Sequence, residues 1–193
     1  MNLFVLDRDP LISAKMNCDK HVNKIILEAV QMMSLAHITN NRLYANINGA
    51  QVELWNAKTH KNNHVSLWVR ETTSNYEWTA KHGLALCDEY NDRYGKIHNC
   101  QPLMNWLATN QPPLNIGGLT PFRQAVADDC YHQDPVVAYH LYYVRYKSRF
   151  AKWRTGKVPN WYIQLMLIEH GIIVDTTPSK AYIKMVTHEH KTS

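Results

Sequence analysis

Residues 18–31, CDKHVNKIILEAVQ, decide how this chain folds. At 100° per residue over positions 17–36, Val22, Ile25, Ile26, Ala29, Val30, Met33 and Ala36 fall on one broad face. Asn17, His21, Lys24, Glu28 and Gln31 line the opposite side at i, i+3, i+4, i+7 spacing. The pattern predicts a long amphipathic helix with a core face and a solvated stripe. The stripe is chemically unusual for a solvated one: Glu28 lies four residues after Lys24 and seven after His21, so three polar heads can converge on one ligand. Imidazole, ammonium and carboxylate together suit charge stabilisation and proton transfer.

Outward from this helix the grammar stays helical. Neither glycine nor proline occurs between Pro10 and Gly49, or from Ala50 to His82, which favours long helices. The stretch from Gly95 to Pro121 collects seven of the fifteen glycines and prolines, including QPPLNIGGLTP, and reads as an irregular connection between two helical halves. Beyond it, Asp134 is a good N-cap and Pro135 a good first helical residue for about five turns through VVAYHLYYVRYKSRFAKW. PNWYIQLMLIEHG repeats that grammar, with Gly171 as its stop. The tail suits a short hairpin or an extended arm, and NLFVLD a lone strand. The expected fold is therefore mainly α: a single-domain helical bundle with a Pro/Gly-rich central connection and room for a short β element at either terminus. Its parts are residues 1–98, the connection 99–133, and a basic, aromatic helical half 134–193.

With 193 residues, 45% of them hydrophobic and 19% charged, the chain is long enough to bury a sizeable core and too apolar to be disordered. No run approaches the ~18 apolar residues of a membrane span, and the first residues lack the basic start and apolar stretch of a signal peptide. An intracellular setting follows as the expectation, in the cytoplasm of a bacterium or a phage-infected host, with Cys18, Cys87, Cys100 and Cys130 as free thiols. Three short pairings, Cys18 with His21, His98 with Cys100 and Cys130 with His132, lack the two-pair spacing of a zinc finger, so no metal is expected. The formal charge of +5 permits a polyanionic partner without demanding one.

A second polar cluster runs through residues 60–98. His60, His64, Trp68 and Glu71 or Asn75 share a helical face, and Arg70, Arg93 and Lys96 lie nearby. His60 and His64 at i, i+4 could chelate a metal, but no acidic partner completes a signature. Trp68, Trp78, Leu84 and Leu86 read as core. Further on, RYKSRFAKWRTGKVPNWY gathers Arg145, Lys147, Arg149, Lys152, Arg154 and Lys157 without an acidic residue, interleaved with Tyr146, Phe150, Trp153, Trp161 and Tyr162. Such a segment can contact phosphates and stack on unpaired bases; equally, it can be an amphipathic helix with solvated cations.

Four segments, FVLDRDP, SAKMNCDKHVNKIILEA, HKNNHVSLWVRETTSNYEW and CDEYNDRYG, resemble the pyrimidine-dimer DNA glycosylases of the phage endonuclease V type, a family of small phage and bacterial proteins. The resemblance covers about residues 1–98 and rests on Asp19, His21 and Glu28 of the first long helix, then on His64, Trp68, Glu89, Arg93 and Gly95. It implies glycosidic-bond cleavage at a damaged or modified pyrimidine, with or without lyase cleavage of the strand, and no cofactor. In that family a free N-terminal amine attacks C1′, a Schiff base forms, the helix glutamate stabilises the cation and moves protons, and the histidine and nearby basic residues hold the DNA backbone. An ordinary α-amine titrates near about pH 8, so part of it is nucleophilic at neutrality.

Carried over, Glu28 is the catalytic carboxylate and His21 its neighbour. The family exposes its amine on a small residue, whereas residue 2 here is Asn2, whose side chain keeps an initiator methionine in place. Either Met1 supplies the amine, or Lys24 replaces it, or Schiff-base chemistry is lost. The nucleic-acid contacts expected with them are Asp19, Lys20, His60, His64, Arg70, Asn75, Arg93, Lys96, Arg145, Arg149, Lys152, Trp153 and Arg154. The alternatives are a non-catalytic nucleic-acid or nucleotide-binding protein on the same fold, and a nucleotide-processing enzyme; RNA stays open beside DNA, and no oligomeric state is implied.

Overall fold

In the computed structural model, residues 1–56 and 60–189 are described, with side chains through Thr187. The α-helices are α1 (Pro10–Met16), α2 (Asp19–Ile38), α3 (His64–Val69), α4 (Thr73–Tyr94), α5 (Gln101–Thr109), α6 (Pro135–Tyr142), α7 (Asn160–His170) and α8 (Lys180–Glu189). A small antiparallel hairpin, β1 (Tyr44–Ile47) with β2 (Ala50–Glu53), pairs Tyr44 with Glu53 and Ile47 with Ala50. The protein is mainly α and forms one domain.

Helix α2 is its axis. Val22, Ile25, Ile26, Ala29, Val30, Met32 and Met33 are fully buried, and α4 and α5 pack against them. Truncating one of these isoleucines to alanine costs about 2–5 kcal/mol. One core cluster runs from Leu3 to Met166 and includes Trp68, Trp78 and Leu86. The second half is fastened directly to α2. Asp19 N–H donates to the Lys152 carbonyl at 2.9 Å, Cys18 N–H to the Tyr143 hydroxyl at 3.2 Å, and Trp153 Nε1–H to the Met16 carbonyl at 3.1 Å.

Local signals account for the helix ends. The Asp9 carboxylate caps α1 through Leu11 and Ile12 N–H, Asp134 caps α6 through Val136 N–H, and Gly95 and Gly171 close α4 and α7 at φ 62° and 65°.

Several expectations need correction. NLFVLD is not a strand: Leu3–Leu6 are buried without a ladder, and Phe4 takes φ 46°. The hairpin is internal, around an Asn48-Gly49 turn. Residues 99–133 are not irregular throughout, since α5 occupies 101–109. Helix α6 ends early in a π turn, Tyr143–Lys147, and the described tail is no hairpin: residues 172–179 lack regular structure and lead into the helix α8.

Candidate functional site

The stripe on α2 does not face water as a whole. Asn17 and His21 are buried, and Glu28 keeps only 13% of its side chain exposed against 62% for Lys24. The chain start lies across this part of α2. Asn2 N–H donates to Glu28 Oε2 at 2.6 Å, and Lys24 Nζ stands 3.3 Å from Glu28 Oε1. Asn2 is itself fixed: its Nδ2 donates to the Ala125 carbonyl at 2.7 Å, and its Oδ1 accepts from Phe4 N–H at 3.0 Å. One residue spans at most about 3.6 Å, so the Met1 amine lies within roughly 6 Å of the Glu28 carboxylate. Met1 is half-buried and packs on the core.

His21 lies under this segment. Phe4 stacks on its ring at 4.1 Å, Phe150 meets it edge-on at 5.5 Å, and Nδ1 bonds the Tyr143 hydroxyl at 2.6 Å. That hydroxyl also reaches Asn17 Oδ1 at 3.2 Å. Burial, reinforced by the ammoniums of Lys147, Lys24 and Lys20, pushes His21 down to about 3, so it is neutral at physiological pH. A roofed, neutral imidazole cannot hold a phosphate. His21, expected as a catalytic residue beside Glu28, is buried beneath Phe4 and bonded to Tyr143, where it supports the floor of the site.

Of the other residues singled out by sequence, several belong to the framework. The Arg93 guanidinium is buried and donates to Glu89 Oε2 at 2.7 Å, Asp19 Oδ1 at 3.1 Å and the Asn17 and Lys15 carbonyls at 2.8 and 3.0 Å. Asp19 Oδ2 accepts from Arg154 N–H, and the Arg154 guanidinium lies over the Tyr94 ring. Asn75 is buried and bonded to Trp68 and Thr120; Arg70 donates to the Lys61 and Ser66 carbonyls. Trp153 is core. Arg145 is clamped by Glu169 at 2.8 Å and by the Asp129 carbonyl. Six of these side chains, Asp19, Arg70, Asn75, Arg93, Arg145 and Trp153, have partners or burial that leave them little for a ligand, whereas Arg154 is tied by its backbone N–H and its guanidinium has only the Tyr94 face, with Nε buried and unpartnered.

Lys20, Arg149 and Lys152 are exposed on the second-half side of α2 or in the segment leading from α6 to α7, and His60 is exposed ahead of α3. Lys96 shares with Lys24 a cavity of about 490 Å³ whose walls include Trp55, Tyr90 and His98. His64 lines a different and larger cavity of about 790 Å³, with Arg8, Glu71, Arg123 and Tyr131. That larger cavity does not contain the α2 stripe; of the stripe, Lys24 alone lines the smaller one, and neither Glu28 nor the chain start is on its wall.

Three contributors are not among the site residues expected from sequence: Asn2, whose backbone holds Glu28 and which the sequence marks only as retaining Met1; Lys147, over Tyr142 at 4.3 Å, named there only as one cation of the basic segment; and Trp55, on the wall of the Lys24 cavity, which the sequence does not single out. Only Trp55 carries a signal, as a tryptophan between polar residues after the hairpin. Among the described residues, no three His, Cys, Asp or Glu side chains converge as metal ligands, and no helix is long and apolar enough to cross a membrane. No family model, curated protein or solved structure matches the chain.

Proposed function

We propose that this protein cleaves the glycosidic bond of a damaged or modified pyrimidine in DNA, using an amine held beside Glu28, in the manner of the endonuclease V type glycosylases it resembles. The observation that carries this reading is the 2.6 Å bond from Asn2 N–H to Glu28, which keeps the start of the chain next to a carboxylate and a lysine. A cavity reached from Glu28 through Lys24, with Trp55 and Tyr90 on its walls and Lys24 and Lys96 at its polar side, is of a size that accepts an extruded base, although neither Glu28 nor the chain start lines it. A DNA substrate would place the protein inside a cell.

In the proposed step the α-amine lone pair forms a bond to C1′ while the C1′–N bond to the base breaks. The base leaves with that electron pair and takes a proton from solvent. Glu28 accepts a proton from the attacking nitrogen and returns it to O4′ as the sugar ring opens, which leaves an iminium between protein and C1′. Lys24, 3.3 Å from Oε1, orients the Glu28 carboxylate.

The test is borohydride reduction on UV-irradiated duplex. Wild type is expected to give a covalent adduct, and Glu28→Gln to reduce its yield by about 10²-fold or more. Lys24→Ala should retain the adduct; its loss there assigns the amine to Lys24 instead. Wild type that neither nicks the duplex nor forms an adduct refutes the reading. A second reading, a binding module without chemistry, is favoured by the engagement of both Glu28 oxygens, one by Lys24 and one by Asn2; it predicts lesion-dependent binding with no adduct.

A further inference from the structure

Four rings form a continuous ribbon across the face in front of α2. Phe150 lies 5.5 Å from His21, His21 4.1 Å from Phe4, and Phe4 6.1 Å from Tyr142, the last two pairs stacked within 26° and 9°. The inner rings, His21 and Phe4, are buried, while the outer two remain partly open. A lysine sits on each open end: Lys20 Nζ is 4.8 Å from the Phe150 centroid, and Lys147 Nζ is 4.3 Å from that of Tyr142 and 3.1 Å from its hydroxyl.

The second arrangement depends on the π turn. In an α-helix, residues five apart point about 140° away from each other; the wider i→i+5 turn at Tyr143–Lys147 brings Lys147 over Tyr142. Among the described residues neither Lys20 nor Lys147 forms an ion pair. The acidic partners in the neighbourhood are already committed: Glu28 to Lys24, Asp19 to Arg93. An ammonium resting on an aromatic face is held only weakly, so an anion can draw it away and leave the ring free for stacking.

We infer that Lys20 and Lys147 form a two-ended phosphate clamp for single-stranded or unstacked DNA, with Phe150 and Tyr142 as the faces on which its bases stack. The inference rests on the nucleic-acid reading of this face and is independent of any glycosidic chemistry there. It also redistributes the basic segment: Lys147 contacts the strand, whereas Arg145, two residues earlier, is held by Glu169.

The experiment is the salt dependence of binding to a fluorescein-labelled, undamaged oligodeoxythymidine. Removing one phosphate-binding cation should flatten the slope of log K against log salt by about 0.7. Lys20→Gln and Lys147→Gln are each expected to do so, their double variant by about twice as much, and Lys147→Arg to keep the wild-type slope. Lys81→Gln, at an exposed position of α4, serves as the control for net charge. Slopes unchanged in both glutamine variants, or a wild type with no affinity for the strand, overturn the clamp. Adduct formation on damaged duplex is scored separately. A flattened slope without an adduct leaves the clamp and removes the glycosylase; an adduct with unaltered slopes does the reverse.

Discussion

Replacing Arg93 with methionine tests how the two halves of the chain are joined. Its guanidinium, 2% exposed, serves two carboxylates and two backbone carbonyls, from Glu89 on α4, Asp19 at the start of α2, Lys15 in the last turn of α1 and Asn17 just after it. Asp19 in turn accepts from Arg154 N–H, so the cation holds together the carboxylate to which the second half is tied. Methionine fills much of the volume but leaves two carboxylates, each under 20% exposed, without their cation. Breaking a buried ion pair from one side costs about 3–5 kcal/mol. For a chain of this size that lowers Tm by roughly 6–20 °C. Urea unfolding followed by circular dichroism measures the loss directly, provided m is unchanged. Lysine should rescue little, because one ammonium cannot reach four acceptors in two directions. A loss below about 1 kcal/mol would mean that water replaces the guanidinium readily, and the hub would not be what joins the halves. At salt and temperature where the variant stays folded, its oligonucleotide slope should match that of wild type, since the side chain is inaccessible to a strand.

Two further outcomes follow from buried groups. His21, His37 and His82 are held down to about 3, 4 and 4, chiefly by burial, against about 6.5 in the unfolded chain. Their folded values are depressed, so the stability they allow is fully present above about pH 6.5 and is lost as pH falls toward 3–4. Denaturant titrations between pH 6 and 4.5 should therefore show stability falling by up to about 4 kcal/mol per pH unit, and a flat profile there would contradict three neutral buried imidazoles. Gly83, inside α4, faces Met104 so closely that a Cβ would overlap its thioether; Gly83→Ala should destabilise by about 1 kcal/mol despite better helix propensity. In a Met104→Ala background the same change should stabilise, as thermal melts of the double cycle would record.

How much of this is legible in the sequence depends on where the partner of each residue lies. Helix caps are local, and Asp134, Gly95 and Gly171 act as their residue types dictate. The apolar face of α2 is also local, and its residues are core. The polar stripe misleads in its first two turns, because what covers Asn17 and His21 is Tyr143, more than 120 residues away, together with Phe4. Arg93 has one local partner, Glu89 at i−4, which by itself reads as an ordinary helix pair; what buries Arg93, and what meets Arg154, is remote in sequence. The hairpin is hidden although Asn48-Gly49 is a strong turn signal, because the long glycine-free runs on either side favour helix. The proximity of Asn2 to Glu28 has no local trace, since it depends on Ala125 anchoring the Asn2 side chain from the opposite half.

The burial of Leu3–Leu6, with Asn2 bonded at both its backbone and its side chain, also bears on how the protein is handled. Residues appended ahead of Met1 would emerge beside Glu28 and Lys24, not into bulk solvent. Affinity tags and fluorophores therefore belong at the other terminus, and a preparation carrying an uncleaved leader sequence will misreport whatever this carboxylate does.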